Sequence, residues 1–327
     1  MTVVLDRDIT HAPAIVSRDT VEPVKVDFVA DRAAWDDLLA VAATPHLPQS
    51  FAYGEGKQAT GWVVRRAVFR MAGKVVAFAT VLERHVLGMR VLARVNRGPV
   101  FLDAAPAASV QRAVYAALRG HWRGPLMIAP ALNIGPDANR TLRSAGLVQR
   151  QSHGWLSGLI DLKRDEASIW DGFSSSFRNR VRAAEKAGAE LHISSDAESY
   201  EWMLARHADN MRDKGFRAVG SALLRALRDT DAAAVTVFQQ LYQGTPVAGM
   251  SVVQFGHHAE YHIGWFGPEG RRLNGGNFLM WNIVREMRRR GVLSFDVGGM
   301  KPGDGYTRFK RTMRPVEYEL SGEWWSI

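Results

Sequence analysis

The sequence predicts an α/β (α+β) chain of two tandem, related domains, each with a mixed central sheet flanked by helices. Three observations carry that expectation. At 327 residues and 46% hydrophobic content, the chain can bury one large core or two medium ones. Strand-like and helix-like patterns alternate along the whole length instead of segregating to one half. One segment recurs in outline, Gly73-Lys74-Val75-Val76-Ala77-Phe78-Ala79-Thr80-Val81 against Gly244-Thr245-Pro246-Val247-Ala248-Gly249-Met250-Ser251-Val252, with Gly, Val, Ala and Val at matching offsets.

Residues 1–26 mix charges with Pro13 and Pro23 and show little periodicity, so they read as a flexible N-terminal tail, and the fold begins near Val26. A helical pattern covers 31–42, and the turn-rich stretch 44–49 follows. Strands are expected over 62–71 and 75–83, joined by Ala72-Gly73-Lys74, with another over 89–95. Val110, Val114, Ala117 and Leu118 fall at helical spacing within 106–122, and a strand at 126–129 ends at Pro130.

The second copy of the repeated segment also follows a strand-like run, 234–242, and is followed by another strand and a long helix. A β-hairpin wants glycine at its turn and β-branched residues after it, so one matching hairpin carries little. The shared order of later elements makes duplication the better account. The first domain is therefore placed at 27–160 and the second at 161–327, with the boundary within 159–163.

The balance of 42 Lys+Arg against 33 Asp+Glu gives a net charge of +9 and a pI near 10. It favours anionic partners such as tRNA, a sugar nucleotide or an acidic membrane face. The chain has no cysteine, which excludes a disulfide, a thiolate zinc site and a cysteine nucleophile, and makes the cytoplasm the expected compartment. The first 25 residues carry too many charges for a signal peptide. No apolar run approaches the length that crosses a bilayer, so any membrane contact would be peripheral.

Chemistry concentrates in the second half. Gly270-Arg271-Arg272-Leu273-Asn274-Gly275-Gly276-Asn277 precedes a helix expected at 278–290. A glycine-rich turn at a helix N-terminus presents free N–H groups and a positive dipole end to a phosphate or carboxylate. The competing reading is a plain loop beside a helix cap. The stretch from Ser174 to Gly188 reads as a capped helix with Arg178, Arg182 and Lys186 along one face, either a solvated basic face or a phosphate contact. A short strand is expected to reach Phe295-Asp296, and Val297-Gly298-Gly299-Met300 leads into Gly305-Tyr306-Thr307-Arg308-Phe309-Lys310. An ammonium beside aromatic rings can hold a phosphate or stabilise the oxyanion of acyl transfer, whereas the plain alternative is a strand edge with Tyr306 and Arg308 alternating.

This order of motifs resembles the Fem ligase (FemABX) family, whose members move an amino acid from aminoacyl-tRNA onto the stem peptide of a peptidoglycan precursor. The resemblance covers the chain after the tail and implies two GNAT-like domains. It includes the 49–57 helix with Gly61-Trp62 after it, the Arg97-Gly98-Pro99-Val100 turn, and Lys214-Gly215-Phe216-Arg217. It implies a catalytic role for Lys310 with Phe309. It implies acceptor binding by Lys57, Arg217 and Tyr306, with Lys57 and Arg217 on a diphosphate. It implies donor contacts from Arg178, Arg182, Arg272, Gly275, Gly276 and Asn277, with no cofactor and no metal.

The partners implied are aminoacyl-tRNA and a phosphorylated, amine-bearing acceptor. GNAT acyltransferases hold the CoA pyrophosphate at a turn of Arg or Gln, two residues, Gly, one residue, then Gly or Ala. Arg272 and Gly275 fit that pattern and Asn277 departs from it. The Fem pattern is broken too, since Ile128-Ala129-Pro130-Ala131 lacks the acidic residue that relatives carry before the proline. That break points to an acceptor different from a standard muropeptide.

Amide formation from an ester also needs a proton acceptor, for which Asp296, Asp304, His207, His262 and the terminal adenosine of the tRNA are the candidates. Two alternatives stand beside the aminoacyltransferase: an N-acyltransferase using acyl-CoA or an acyl carrier protein, and a non-catalytic module that binds an anionic glycan precursor or RNA.

Overall fold

In chain order the first half runs β1 (Lys25–Phe28), α1 (Arg32–Val41), a 3-10 turn (Leu47–Gln49), α2 (Phe51–Ala59), β2 (Val63–Met71), β3 (Lys74–Val86), β4 (Met89–Asn96), β5 (Val100–Phe101), α3 (Ala108–His121), β6 (Leu126–Ala129), α4 (Pro136–Ser144) and β7 (Val148–Gln151). The second half runs β8 (Leu156–Asp161), α5 (Glu166–Gly172), α6 (Ser175–Lys186), β9 (Glu190–Ser194), α7 (Ala197–Lys214), α8 (Ser221–Thr230), a 3-10 turn (Ala232–Ala234), β10 (Val235–Tyr242), β11 (Thr245–Phe255) and β12 (His258–Phe266). It ends with α9 (Pro268–Arg272), α10 (Gly275–Arg289), β13 (Ser294–Asp296), α11 (Gly305–Arg311), β14 (Val316–Glu319) and β15 (Glu323–Ser326). The computed structural model describes residues 22–215 and 220–326. The expected tail therefore lies almost wholly outside the described residues.

Two mixed sheets organise these elements. The first has the order β1-β2-β3-β4-β6-β15-β7, with β5 paired to β3, and the second β14-β8-β13-β12-β11-β10-β9. The repeat seen in the sequence becomes the β2–β3 and β10–β11 hairpins, which hold equivalent places in the two sheets. Each turns on a non-glycine residue and a glycine, both at positive φ: Ala72 at 48° with Gly73 at 76°, and Gln243 at 50° with Gly244 at 73°. In each sheet the third strand of the hairpin ladder then pairs in parallel with the strand that follows a helix, β4 with β6 and β12 with β13.

The two sheets exchange strands. The chain leaves β7 in the first sheet and enters β8 in the second, and later leaves β14 in the second and returns as β15 in the first, between β6 and β7. Trp324 of β15 is fully buried in the first core beside Tyr115 and Trp122. The segment around residue 160, read from the sequence as a boundary, holds the end of β8.

Helices α6 and α10 cover one face of the second sheet, around Phe177, Val181, Leu279 and Ile283. The opposite face packs α7 and α8, and here Leu47 and Ala52 of the first half join Tyr200, Met203, Leu224 and Ile263 in one cluster. Helix α2 lies so close to α8 that a Cβ on Gly56 would come 2.6 Å from Leu223 Cδ1. A shared apolar interface of this kind fixes the two halves against each other.

Candidate active site

Strands β12 and β13 pair only over His258–Ser294, Ala259–Phe295 and Glu260–Asp296. Beyond that point β12 stays with β11, whereas the chain after β13 follows β8, with Val297 N–H donating to Gly158 O at 3.0 Å and Met300 N–H to Leu156 O at 2.8 Å. The two strands part and open a wedge. Gly298 lies at its apex with φ +76°, where a Cβ would be 2.6 Å from Tyr261 O, so only glycine fits.

Helix α11 fills the wedge. The 305–311 segment is a helix and not the strand edge considered from the sequence, because the Asp304 carboxylate caps its first turn by accepting from Tyr306 N–H at 3.0 Å. Thr307 clasps the preceding loop, its hydroxyl bonding both Lys301 N–H and Lys301 O at 2.8 Å. The helix thereby drives Lys310 inward to 1% exposure.

The Lys310 ammonium donates to Gly298 O at 3.0 Å and Gly299 O at 2.7 Å, and faces the rings of Tyr306 at 4.9 Å and Tyr261 at 5.1 Å. An ammonium has three donors, and the two carbonyls take two of them. Burial pulls the Lys310 pKa down to about 8, with Asp296, Glu260 and Asp304 opposing. The Tyr261 and Tyr306 hydroxyls bond each other. Burial pushes Tyr261 up to about 12 and also holds Tyr306 well above the ordinary tyrosine value, so both remain protonated at neutral pH.

Below the wedge lies a polar floor shared by both halves. Asp296 accepts from Ser157 Oγ, from Gly298 N–H at 2.7 Å and from Tyr318 Oη at 2.6 Å. Beside it Glu260 of the second half receives Arg97 of the first in a buried two-pronged pair at 2.8 and 3.2 Å. The Arg97 guanidinium also stacks 4.2 Å from the Trp155 ring, which in turn packs on Gly299. Glu260, Asp296, Tyr318 and His46 form the inner wall of a cleft of about 770 Å³ between the halves, while Lys310 lies outside that lining.

The donor-side residues divide. Gly275, Gly276 and Asn277 form the first turn of α10, one turn earlier than the sequence pattern indicated, because Asn274 takes the left-handed conformation at φ 55° and starts the helix there. No Cβ fits at Gly275, against the Gly270 carbonyl and Ala248, and a Cβ at Gly276 would meet Phe309 Cζ at 3.2 Å. Phe309 therefore lies on the N-terminus of α10. Asn277 is buried, and its Nδ2 has no partner among the described residues.

Arg272 is exposed and paired with Glu269. The Arg178 guanidinium is taken up by Asp171 O at 2.8 Å and Phe173 O at 2.7 Å, closing the end of α5, while Arg182 is exposed over Trp170 at 5.4 Å. Arg178 is thus engaged by the backbone at the end of α5, while Arg182 stands free of such bonds to backbone carbonyls among the described residues.

On the acceptor side, Lys57 of α2 is half-buried over the Tyr53 ring at 5.3 Å, and burial, then Arg94 and Arg84, lower its pKa. Tyr53, one turn earlier, lies within the field of Arg97 and Glu260. Arg217 lies outside the described residues. Of the candidate bases, Asp296 accepts three hydrogen bonds and faces the cleft on the far side from Lys310's wedge, and Asp304 is used as a cap. His262 is half-buried and lowered to about 4, by desolvation and then by His207 and Arg97, and His207 is buried on α7. None of these four stands open at the wedge.

Glu260, Tyr261, Trp155 and Tyr318 were not singled out from the sequence. The one signal was a carboxylate inside the strand-like run Ala259-Glu260-Tyr261-His262-Ile263, whose partner Arg97 is 163 residues away.

Residues 173–311 match the family described as Acetyltransferase (GNAT) domain. No curated protein matches the chain by sequence. Among solved structures, FemX superposes with a TM-score of 0.77 at 16% identity, covering 93% of this chain and 97% of that one. A tandem GNAT protein from the clavulanic acid biosynthesis pathway gives 0.52 at 15% identity over 93% and 98% of the two chains. L-PGS from Bacillus licheniformis gives 0.53 at 13% over 90% and 91%. At such identities the likeness establishes the fold: two tandem GNAT-like units, as the order of motifs implied.

Proposed function

We propose that this chain is an acyltransferase that moves an aminoacyl group from aminoacyl-tRNA to an amine on a phosphate-bearing acceptor of the peptidoglycan-precursor type. The observation that carries the reading is the Lys310 ammonium, held by two carbonyls at the apex of the β12–β13 wedge. In the reaction the acceptor amine attacks the ester carbonyl carbon, a C–N bond forms, and charge develops on the carbonyl oxygen. A fixed ammonium in a site with little water is worth most against that charge. Collapse breaks the ester C–O bond, and the proton shed by the amine goes to the departing ribose oxygen. That transfer can run through the sugar's neighbouring hydroxyl, consistent with the absence of a side-chain base open at the wedge among the four candidates.

Two features favour a tRNA donor over acyl-CoA. Phe309 lies over Gly276, narrowing access to the first-turn amides of α10, and Arg272 is engaged by Glu269. Both count against a pyrophosphate held at that turn. Lys57, with Arg94 and Arg84 in its neighbourhood, offers positive charge for the acceptor's phosphates. No helix among the described residues is long and apolar enough to cross a membrane, and a charged-tRNA donor implies action in the cytoplasm.

The test is to incubate the protein with charged tRNA and a nucleotide-linked muropeptide, following amide formation by mass spectrometry, with acyl-CoA in parallel. Product that disappears with ribonuclease and in Lys310→Ala supports the proposal. Ribonuclease-resistant transfer from acyl-CoA would move the chain to the N-acyltransferase reading. Salt-sensitive retention of charged tRNA without turnover would make it a binding module.

A further inference from the structure

The β3–β4 hairpin ends in Val86-Leu87-Gly88-Met89, beyond the part of the sheet that α3 covers. Leu87 is 93% exposed, Met89 66%, Val86 56% and Val91 44%. Single exposed apolar side chains are ordinary, but four within six residues at a projecting turn form a patch. The turn itself sharpens the point. Leu87 has φ 50° and Gly88 78°, a two-residue turn in which Asn or Asp at the first position suits the backbone far better than a branched apolar residue. Backbone preference and solubility both oppose leucine at 87, so its presence there asks for a use.

Around the root of the hairpin the charge is mostly positive. Arg84 donates to Gly61 O at 2.5 Å and stacks 4.3 Å from the Trp62 ring, Arg123 is exposed, and exposed Arg65 and half-buried Arg90 reach the Glu83 carboxylate at 3.7 and 3.8 Å, four arginines against one acid. The neighbouring acid, Glu83, is buried and accepts from Trp122 Nε1 at 2.7 Å. An apolar tip above a cationic collar matches a bilayer with anionic headgroups, where aliphatic side chains enter the acyl region and arginines meet phosphates. A protein partner fits less well: a stable interface buries about 1,200 Å² or more, several times what a convex two-residue turn and its flanks present.

We propose that this hairpin is a peripheral membrane contact that seats Val86, Leu87 and Met89 in the surface of an anionic phospholipid bilayer. The inference is independent of the acyl donor and of Lys310.

Co-sedimentation of the full chain with phosphatidylcholine vesicles containing about one third phosphatidylglycerol, and with pure phosphatidylcholine vesicles, tests it. The expected result is pelleting with the anionic vesicles that weakens as salt rises. Leu87→Asp should lower the partition about tenfold or more, with a thermal melt no lower than the wild type's, because the side chain is exposed and aspartate suits the turn. Met89→Ser, a gentler change, should give a smaller loss in the same direction. Absence of pelleting at low salt would overturn the proposal. So would equal binding by Leu87→Asp, which would assign the effect to diffuse positive charge. A concentration-dependent dimer that Leu87→Asp dissolves, without vesicle binding, would assign the tip to a second copy of the chain and equally overturn it.

Discussion

At the scale of the residue, the catalytic proposal rests on one nitrogen and its protonation. Replacing Lys310 by Ala should lower kcat/KM by about 10²–10³-fold, the usual loss when one donor to a developing oxyanion is removed, with donor affinity nearly unchanged. The working form is the ammonium. Because burial brings its pKa down to about 8, turnover that depends on it should fall as pH rises through that value. Stability moves the other way. Between about 8 and the ordinary 10.5 the unfolded lysine still holds its proton while the folded one has shed it, so the wild type gains stability with pH across that window. Denaturation of wild type and Lys310→Met at pH values on either side of the window should show the wild type improving relative to the variant as pH rises. A constant difference would mean that Lys310 does not titrate there.

At the scale of the element, α11 delivers that lysine, and a seven-residue helix depends heavily on its cap. Asp304→Ala should cost about 1 kcal/mol of stability by removing the first-turn hydrogen bond, and should also lower kcat as the helix frays beneath Lys310. Asp304→Ser, which still caps, should restore both; recovery of stability without kcat would mean that Asp304 acts on the reaction directly. This is also where sequence reading was strongest and weakest. The 174–188 helix was legible from Ser174 and Gly188, because a side-chain cap and a glycine stop are local chemistry. Lys310 and Phe309 were legible as a pair, but not their helix, since seven residues hold too little periodicity to separate helix from strand. Gly275 and Gly276 looked like loop because glycine usually marks one. Here they are helical: at Gly275 the Gly270 carbonyl and Ala248 leave no space for a Cβ, and at Gly276 Phe309 leaves little.

At the scale of the molecule, the repeat announced two sheets, but nothing local announced that they trade strands or that Arg97 finds Glu260 across the interface. Both are facts of tertiary pairing. The Arg97–Glu260 pair is buried on both sides, so Arg97→Ala leaves a carboxylate without its partner and should destabilise by about 3–5 kcal/mol in denaturant unfolding. Breaking an exposed pair such as Arg225–Glu201 should change stability far less, because water screens both charges.

The strand exchange makes a separate prediction. The two crossing segments run side by side, with Leu320 N–H donating to Trp155 O at 3.0 Å, and Ser321 N–H donates at 2.9 Å to Leu132 O in the chain that follows β6. Gly322 turns the chain into β15 at φ +80°, where a Cβ would lie 1.9 Å from Gln151 O, against backbone that cannot yield. A branched residue there has neither the conformation nor the room, so Gly322→Val should keep β15 from entering between β6 and β7 and leave Trp324 without its core. Hydrogen exchange would locate the damage. Amides of β6 and β7 should lose protection first, while α6 and α10, packed on the far face of the second sheet, keep theirs. Uniform loss across both sheets would instead show that the shared interface of α2 and α8 makes the two halves one cooperative unit.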